Sequence, residues 1–245
     1  MTHPAMPTPH ISSAKLPSGS STRLAWSISD GSLEALKWVA LVLMVGDHVN
    51  KYLLHESSAT LYALGRMVMP IFGFVLMANL ARPGALATGI HLRVMRRLAI
   101  FAALATPAFV LLVGWWPLNI LATLFVATLI VYLIELGGTG SSLLCALTFI
   151  VGGALVEFWW PALLYCLGAW RFVRKPSAGR LTVWVIGAAA LALINGNFAA
   201  LVALPLIWGA TQVDFPLQRR RWVFYAFYPA HLTVLAVVAL LQNGR

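Results

Sequence analysis

The chain has 245 residues, 60% of them hydrophobic and 10% charged, with a mean hydropathy of +0.84. Soluble globular chains are roughly 45–50% apolar and about 25% charged, so this composition excludes a soluble core and points to one integral membrane domain with a short tail. The formal net charge of +10 would suit nucleic acid, but the basic residues are confined to breaks between apolar runs, which is the membrane pattern and not a basic groove.

The chain opens with MTHPAMPTPHISSAKLPSGSSTR, rich in Pro, Ser and Thr. Such a stretch cannot bury enough surface to fold, so residues 1–30 are expected to be a disordered tail and 31–245 the membrane domain. The stretch lacks the apolar h-region of a signal peptide. Apolar runs follow at 33–54, 58–80, 98–114, 117–135, 142–157, 159–173, 181–195, 197–213 and 222–241. A spanning helix needs roughly 20 residues and several runs are shorter. The predicted architecture is all-α and polytopic, with about nine transmembrane helices (range 7–10). The fifth and sixth runs, split only by Phe158, Trp159, Trp160 and Pro161, could also form one kinked or re-entrant pair. Cys145 and Cys166 lie within apolar runs, as small packing residues do, and no metal site is expected.

Basic residues fall in four groups: Lys15, Arg23 and Lys37; Arg82, Arg93, Arg96 and Arg97; Arg171, Arg174, Lys175 and Arg180; and Arg219, Arg220 and Arg221. With nine spans all four lie on one side, which places the N-terminus in the cytoplasm. Trp115, Trp116, Trp159 and Trp160 then lie at the outer interface, where amphipathic rings concentrate.

Ionisable side chains within a span cost about 2.5–3.5 kcal/mol each on insertion scales and mark functional sites by default. His48 lies roughly 9 Å below the outer edge and Arg66 roughly 12 Å below it, at about 1.5 Å per helical residue. Asp47, His48 and Arg66 therefore share one layer. Successive helical residues do not face each other, so Asp47 is expected to pair with Arg66 while His48 points into a cavity. A charge-neutral lock between two helices is the alternative. In the last run, FYAFYPAHL, His231 near mid-membrane either bonds across helices or lines a pathway, with Tyr225 and Tyr228 nearby and Pro229 loosening the helix. Asn119 either holds a substrate carbonyl or caps its helix. The segment GALATGIHLRVMRRL has the pattern of a basic amphipathic helix on the inner leaflet, and its arginines could also attract phosphates.

The stretches LKWVALVLMVGDHVN, LYALGRMVMPIFGFVLMANLARPG, RRLAIFAALATP, WWPLNILATLFVATL and FYAFYPAHL resemble, in this order, the TraX family. These are membrane proteins of conjugative plasmids that acetylate the pilin N-terminus, grouped with the conjugal transfer protein TrbP and similar to membrane acyltransferases more broadly. The resemblance implies a multi-pass protein of the bacterial inner membrane that uses acetyl-CoA as cytosolic donor. Its implied partners are a pilin subunit as acceptor and membrane lipids, without nucleic acid. Carried over, it makes His48 the acyl-transfer histidine with Asp47 and Arg66, and gives Asn119, His231 and Tyr228 to the substrate. Arg93, Arg96 and Arg97, or another of the inner basic clusters, would meet the donor's phosphates. Two other readings compete. One is a proton-coupled transporter, against which stands the lack of a second copy of the DH…GR…P-x-F arrangement. The other is a non-catalytic pilin-processing scaffold.

Overall fold

A computed structural model describes residues 28–243. Most of the expected tail, residues 1–27, and residues 244–245 lie outside the described residues. The helices are α1 (Asp30–Tyr52), α2 (Ala59–Gly65), α3 (Val68–Leu80), α4 (Ile90–Leu112), α5 (Ile120–Leu136), α6 (Thr139–Leu147), α7 (Gly153–Leu155), α8 (Trp159–Arg174), α9 (Ala178–Ala190), α10 (Ala192–Asn195), α11 (Ala203–Thr211) and α12 (Arg221–Asn243). A π turn at Thr148–Gly152 joins α6 to α7, and a 3-10 turn at Ala199–Val202 precedes α11.

Among the described residues these elements group into nine helical segments. Four are long and apolar enough to cross a membrane: Ala59–Leu80, Ile90–Leu112, Ala178–Asn195 and Trp222–Gln242. Ile120–Leu136, Thr139–Leu155 and Ala199–Thr211 are apolar but shorter. Many large apolar side chains face outward, among them Leu104 at 59%, Leu111 at 64% and Leu143 at 69% exposure. Apolar surface on that scale calls for a lipid solvent, and the chain is a membrane protein.

Several ends are set by local chemistry. Ser29 caps α1 by accepting the Ser32 N–H at 3.1 Å, so the helix starts at Asp30, inside the stretch assigned to the tail. Ser58 caps α2 and Ser177 caps α9. The second segment breaks at Arg66 and Met67 because Pro70 lacks an N–H and its ring clashes with the carbonyl four residues back, that of Arg66. Pro229 has no such effect, and α12 runs through it as one helix. The basic stretch 90–98 is a second departure from expectation. It forms the first turns of α4, not a separate interfacial helix, since His91, Met95 and Leu98 are buried against the bundle. The fifth and sixth runs form two segments. Phe158 and Trp159 adopt left-handed backbone, reversing the chain so that Trp160 Nε1 donates to Ile150 O at 3.2 Å.

α3 is buried almost all round, as befits a central helix. It meets α8 where Gly73 faces Cys166 and the Tyr165 ring, and the Tyr165 hydroxyl donates to Pro70 O at 2.8 Å. α8 and α9 approach through Gly168 and Gly187, each against the other helix's backbone. Small residues permit such close crossings. α1 and α12 run side by side in the same direction, with Lys37 over the Phe224 ring near one end and His48 against His231 further on.

The described members of the four basic groups gather at one end. Arg82 pairs with Asp30, and Lys37 pairs with buried Glu34. Glu34 also accepts the Arg220 N–H at 2.9 Å. Glu135 joins Arg174 at 2.5 Å and buried His91 at 3.4 Å. Here the extended segment 213–220 crosses the start of α1, where Ser32 Oγ donates to Val213 O at 2.5 Å.

Candidate functional site

Asp47 and His48 occupy successive positions of α1, about 100° apart around it, and so meet different helices. Asp47 faces α2 at Gly65, where an added methyl would lie 2.3 Å from the Asp47 Cγ. In the turn after α2, Arg66 Nη2 donates to both Asp47 oxygens, at 2.7 and 2.8 Å. Arg66 Nε donates to Tyr62 O at 3.3 Å, and the guanidinium lies 4.4 Å from the Tyr62 ring centroid. The ion pair expected from layering is present. Asn50, one turn on, holds the following loop: its Nδ2 donates to Ser58 O at 3.0 Å and its Oδ1 accepts the Ser58 N–H at 2.9 Å.

His48 faces α12. Its Nδ1 lies 2.9 Å from His231 Nε2, with the two rings 8° from parallel. Phe227 stacks on His231, ring centroids 5.3 Å apart. A bond between two neutral imidazoles requires one to donate and the other to accept, so the tautomer of each ring sets that of the other.

Both sites open on a polar cavity of about 80 Å³ that is also lined by Lys51, Tyr52 and Glu157. Behind it lies a larger cavity of about 160 Å³, walled by Phe72, Leu76 and Leu124 among others. Lys37, Asn79, Arg97 and Arg219 line that second cavity on the basic side. Met44, Ile120 and Tyr228 line both cavities. A polar chamber lined by His48 therefore backs on an apolar chamber with cations, and three side chains are common to both.

The other candidates are distributed unevenly. Tyr228 is buried in the shared wall. Asn119 is not at the cavity. It caps α5 by accepting the Leu121 N–H at 3.1 Å and donates to Ala102 O at 3.1 Å, joining α4 to α5. Arg97 lines the apolar cavity and lies 5.0 Å from the Trp222 ring centroid, whereas Arg93 and Arg96 are exposed and do not line it. Among the described residues, no three His, Cys, Asp or Glu side chains gather as metal ligands would.

Sequence reasoning missed Glu157. It sits in the turn between α7 and α8, where Leu118 and Val156 form an isolated parallel bridge. Its N–H donates to Leu118 O at 2.8 Å, and its carbonyl accepts from Thr123 Oγ1 at 2.7 Å. Burial pushes its carboxyl up to about 7, opposed by the positive charges of Lys51 and Arg66 and by the Ile120 N–H. The available signal was an acid at the outer edge of an apolar run, followed at once by aromatic residues.

Residues 32–239 match the family model described as TraX protein. Protein TraX of Escherichia coli strain K12 is 29% identical over 234 residues, covering 89% of this chain and 90% of the relative. A second Protein TraX from Escherichia coli is 28% identical over 232 residues, with the same coverage. No solved structure matches.

Proposed function

The chain belongs to the TraX family, and from that premise we propose that it is a membrane-bound acetyltransferase that moves an acetyl group from cytosolic acetyl-CoA to the N-terminal amine of a conjugative pilin. In this reading the protein crosses the bacterial inner membrane nine times, with its N-terminus and its basic end in the cytoplasm. The observation that carries the proposal is the pair of back-to-back cavities, with His48 lining the polar one and His231 bonded behind it at 2.9 Å. The apolar cavity suits the donor's arm, with its phosphates towards Lys37, Arg97 and Arg219. The acceptor enters the polar cavity from the opposite side.

In this reading His48 is the donor of the two imidazoles. With Nδ1–H donated to His231 Nε2, His48 keeps a lone pair on Nε2 and acts as general base. An ammonium passes its proton to that nitrogen, and the neutral amine attacks the thioester carbon. The C–N bond forms and the C–S bond breaks, the thiolate regains that proton from the imidazolium, and the nitrogen's second proton leaves to water as the amide forms. His231, as acceptor of the Nδ1–H, holds the ring through both transfers, as the third member of a triad does. Asp47 occupies Arg66 Nη2 and Tyr62 O occupies Nε, which leaves Nη1 to face the developing oxyanion in a low-dielectric site. Direct transfer gives intersecting initial-rate lines, and passage through acetyl-histidine gives parallel, ping-pong lines.

Mass spectrometry of the plasmid's mature pilin, with and without this protein, tests the reaction: the expected difference is one acetyl group. His48→Ala that inserts normally is expected to lower the rate at least about 100-fold, the scale of lost general-base catalysis. Unchanged pilin mass would favour the scaffold reading, and undiminished transfer by the variant would remove His48 from the chemistry.

A further inference from the structure

We propose that Glu157 receives the protonated amino group of the acceptor, which makes the polar cavity an ammonium-binding subsite selective for unblocked primary amines. The proposal rests on the acetyl-transfer reading for the reaction, but not for the binding.

Three observations converge on this residue. First, the backbone on either side of the carboxylate is held by hydrogen bonds. The Glu157 N–H and carbonyl are engaged by Leu118 and Thr123, and the Leu118 N–H donates to Leu155 O at 2.8 Å. A side chain on such a support is placed as a binding group needs to be. Second, Asp47 also lines the cavity, but Arg66 takes both its oxygens. Among the described residues, no cation lies within the 4.0 Å ion-pair distance of Glu157. Third, the carboxylate meets the Ile120 N–H at the first turn of α5, where the helix end favours negative charge. That contact orients the carboxylate without neutralising it.

A half-buried carboxylate without a paired cation is costly, and an entering ammonium offsets the cost. Lys51, Asp47, His48 and Tyr52 of α1, Arg66 after α2 and Tyr228 of α12 face the same cavity. His48 is therefore placed to take one proton from the bound ammonium, and Glu157, held ionised by the positive charge it binds, exchanges no proton in the transfer. An acetylated terminus carries no charge and gains nothing from Glu157, so the product leaves.

The test uses the full-length protein in lipid nanodiscs and two uncharged-body probes, trialanine amide with a free amino terminus and its N-acetylated form. The wild type is expected to bind the free amine about 10–100-fold more tightly, the scale of a charge-assisted hydrogen bond. Glu157→Gln is expected to abolish that preference while Glu157→Asp keeps part of it. With labelled acetyl-CoA, Glu157→Gln should raise KM for the amine by the same factor and leave KM for acetyl-CoA unchanged. Equal binding of the two probes by the wild type, or an undiminished preference in Glu157→Gln, overturns the proposal, and the wild-type comparison stands even if the variant misfolds. A Glu157-dependent preference without transfer to any amine would sink the acetyltransferase reading and leave the amine site standing.

Discussion

At Gly65 one missing methyl lets the Asp47 carboxylate sit against α2 beside Arg66. An alanine there would bring its Cβ to 2.3 Å from the carboxyl carbon. Gly65→Ala is therefore expected to push the ion pair apart and cost about 1–3 kcal/mol, the range for overpacking a tight contact. Thermal unfolding of the purified protein in detergent measures the loss, and an unchanged midpoint would show that Asp47 has room to move. The Asp47–Arg66 pair was legible in the sequence because 19 residues and one short loop separate its members, so depth along two joined helices predicts their meeting. The His48–His231 bond was not legible, since 183 residues intervene and nothing local says which helix α1 faces with that side. Asn119 illustrates the reverse. Of its two sequence readings the cap is the one the structure contains, because its side chain is taken up between α4 and α5.

The helices themselves are held by seams of small residues. Between α8 and α9, a methyl on Gly168 would lie 2.8 Å from the Trp184 Cα, and one on Gly187 would lie 2.7 Å from the Tyr165 Cα. Backbone cannot swing aside as a flexible side chain can. Gly168→Val is thus expected to separate the two helices and leave little monodisperse protein on size-exclusion chromatography, and a normal profile would show that the seam tolerates widening. Segment positions were largely legible: the run 58–80 is helical over Ala59–Leu80, and the run 222–241 over Arg221–Asn243. The error at α4 has a physical cause. Arg93, Arg96 and Arg97 mark a break on a hydropathy reading, but long basic side chains at a helix end reach polar surroundings while their stems stay on the bundle. Only the burial of His91 and Met95 shows that the helix continues beneath them.

Across the whole molecule, polarity is divided between two ends. Basic groups gather where Asp30, Glu34 and Glu135 receive them. At the other end Trp116 stacks on Trp159 with centroids 5.7 Å apart, and the candidate site opens nearby. The nine crossings proposed above would put those ends on opposite faces of the membrane, with the basic end in the cytoplasm. In a protein whose Cys145 and Cys166 are replaced by alanine, His55→Cys and Trp115→Cys should react with a membrane-impermeant maleimide in intact spheroplasts. Lys175→Cys and Gln218→Cys should react only after permeabilisation. Labelling of Lys175→Cys from outside would reverse the orientation and take the basic end away from a cytosolic donor.

The sequence by itself determined the lipid solvent, the helical runs, the layer shared by Asp47, His48 and Arg66, and the family. Each rests on composition, on depth along a helix or on the order of short motifs, which are properties of one dimension. Only the tertiary structure decided that His48 meets His231, that a polar and an apolar cavity share Met44, Ile120 and Tyr228, and that Glu157 faces the first of them. Those contacts depend on how each helix is rotated about its axis and which neighbours it packs against. Apolar residues all round a helix such as α3 leave that rotation unspecified until the bundle is assembled.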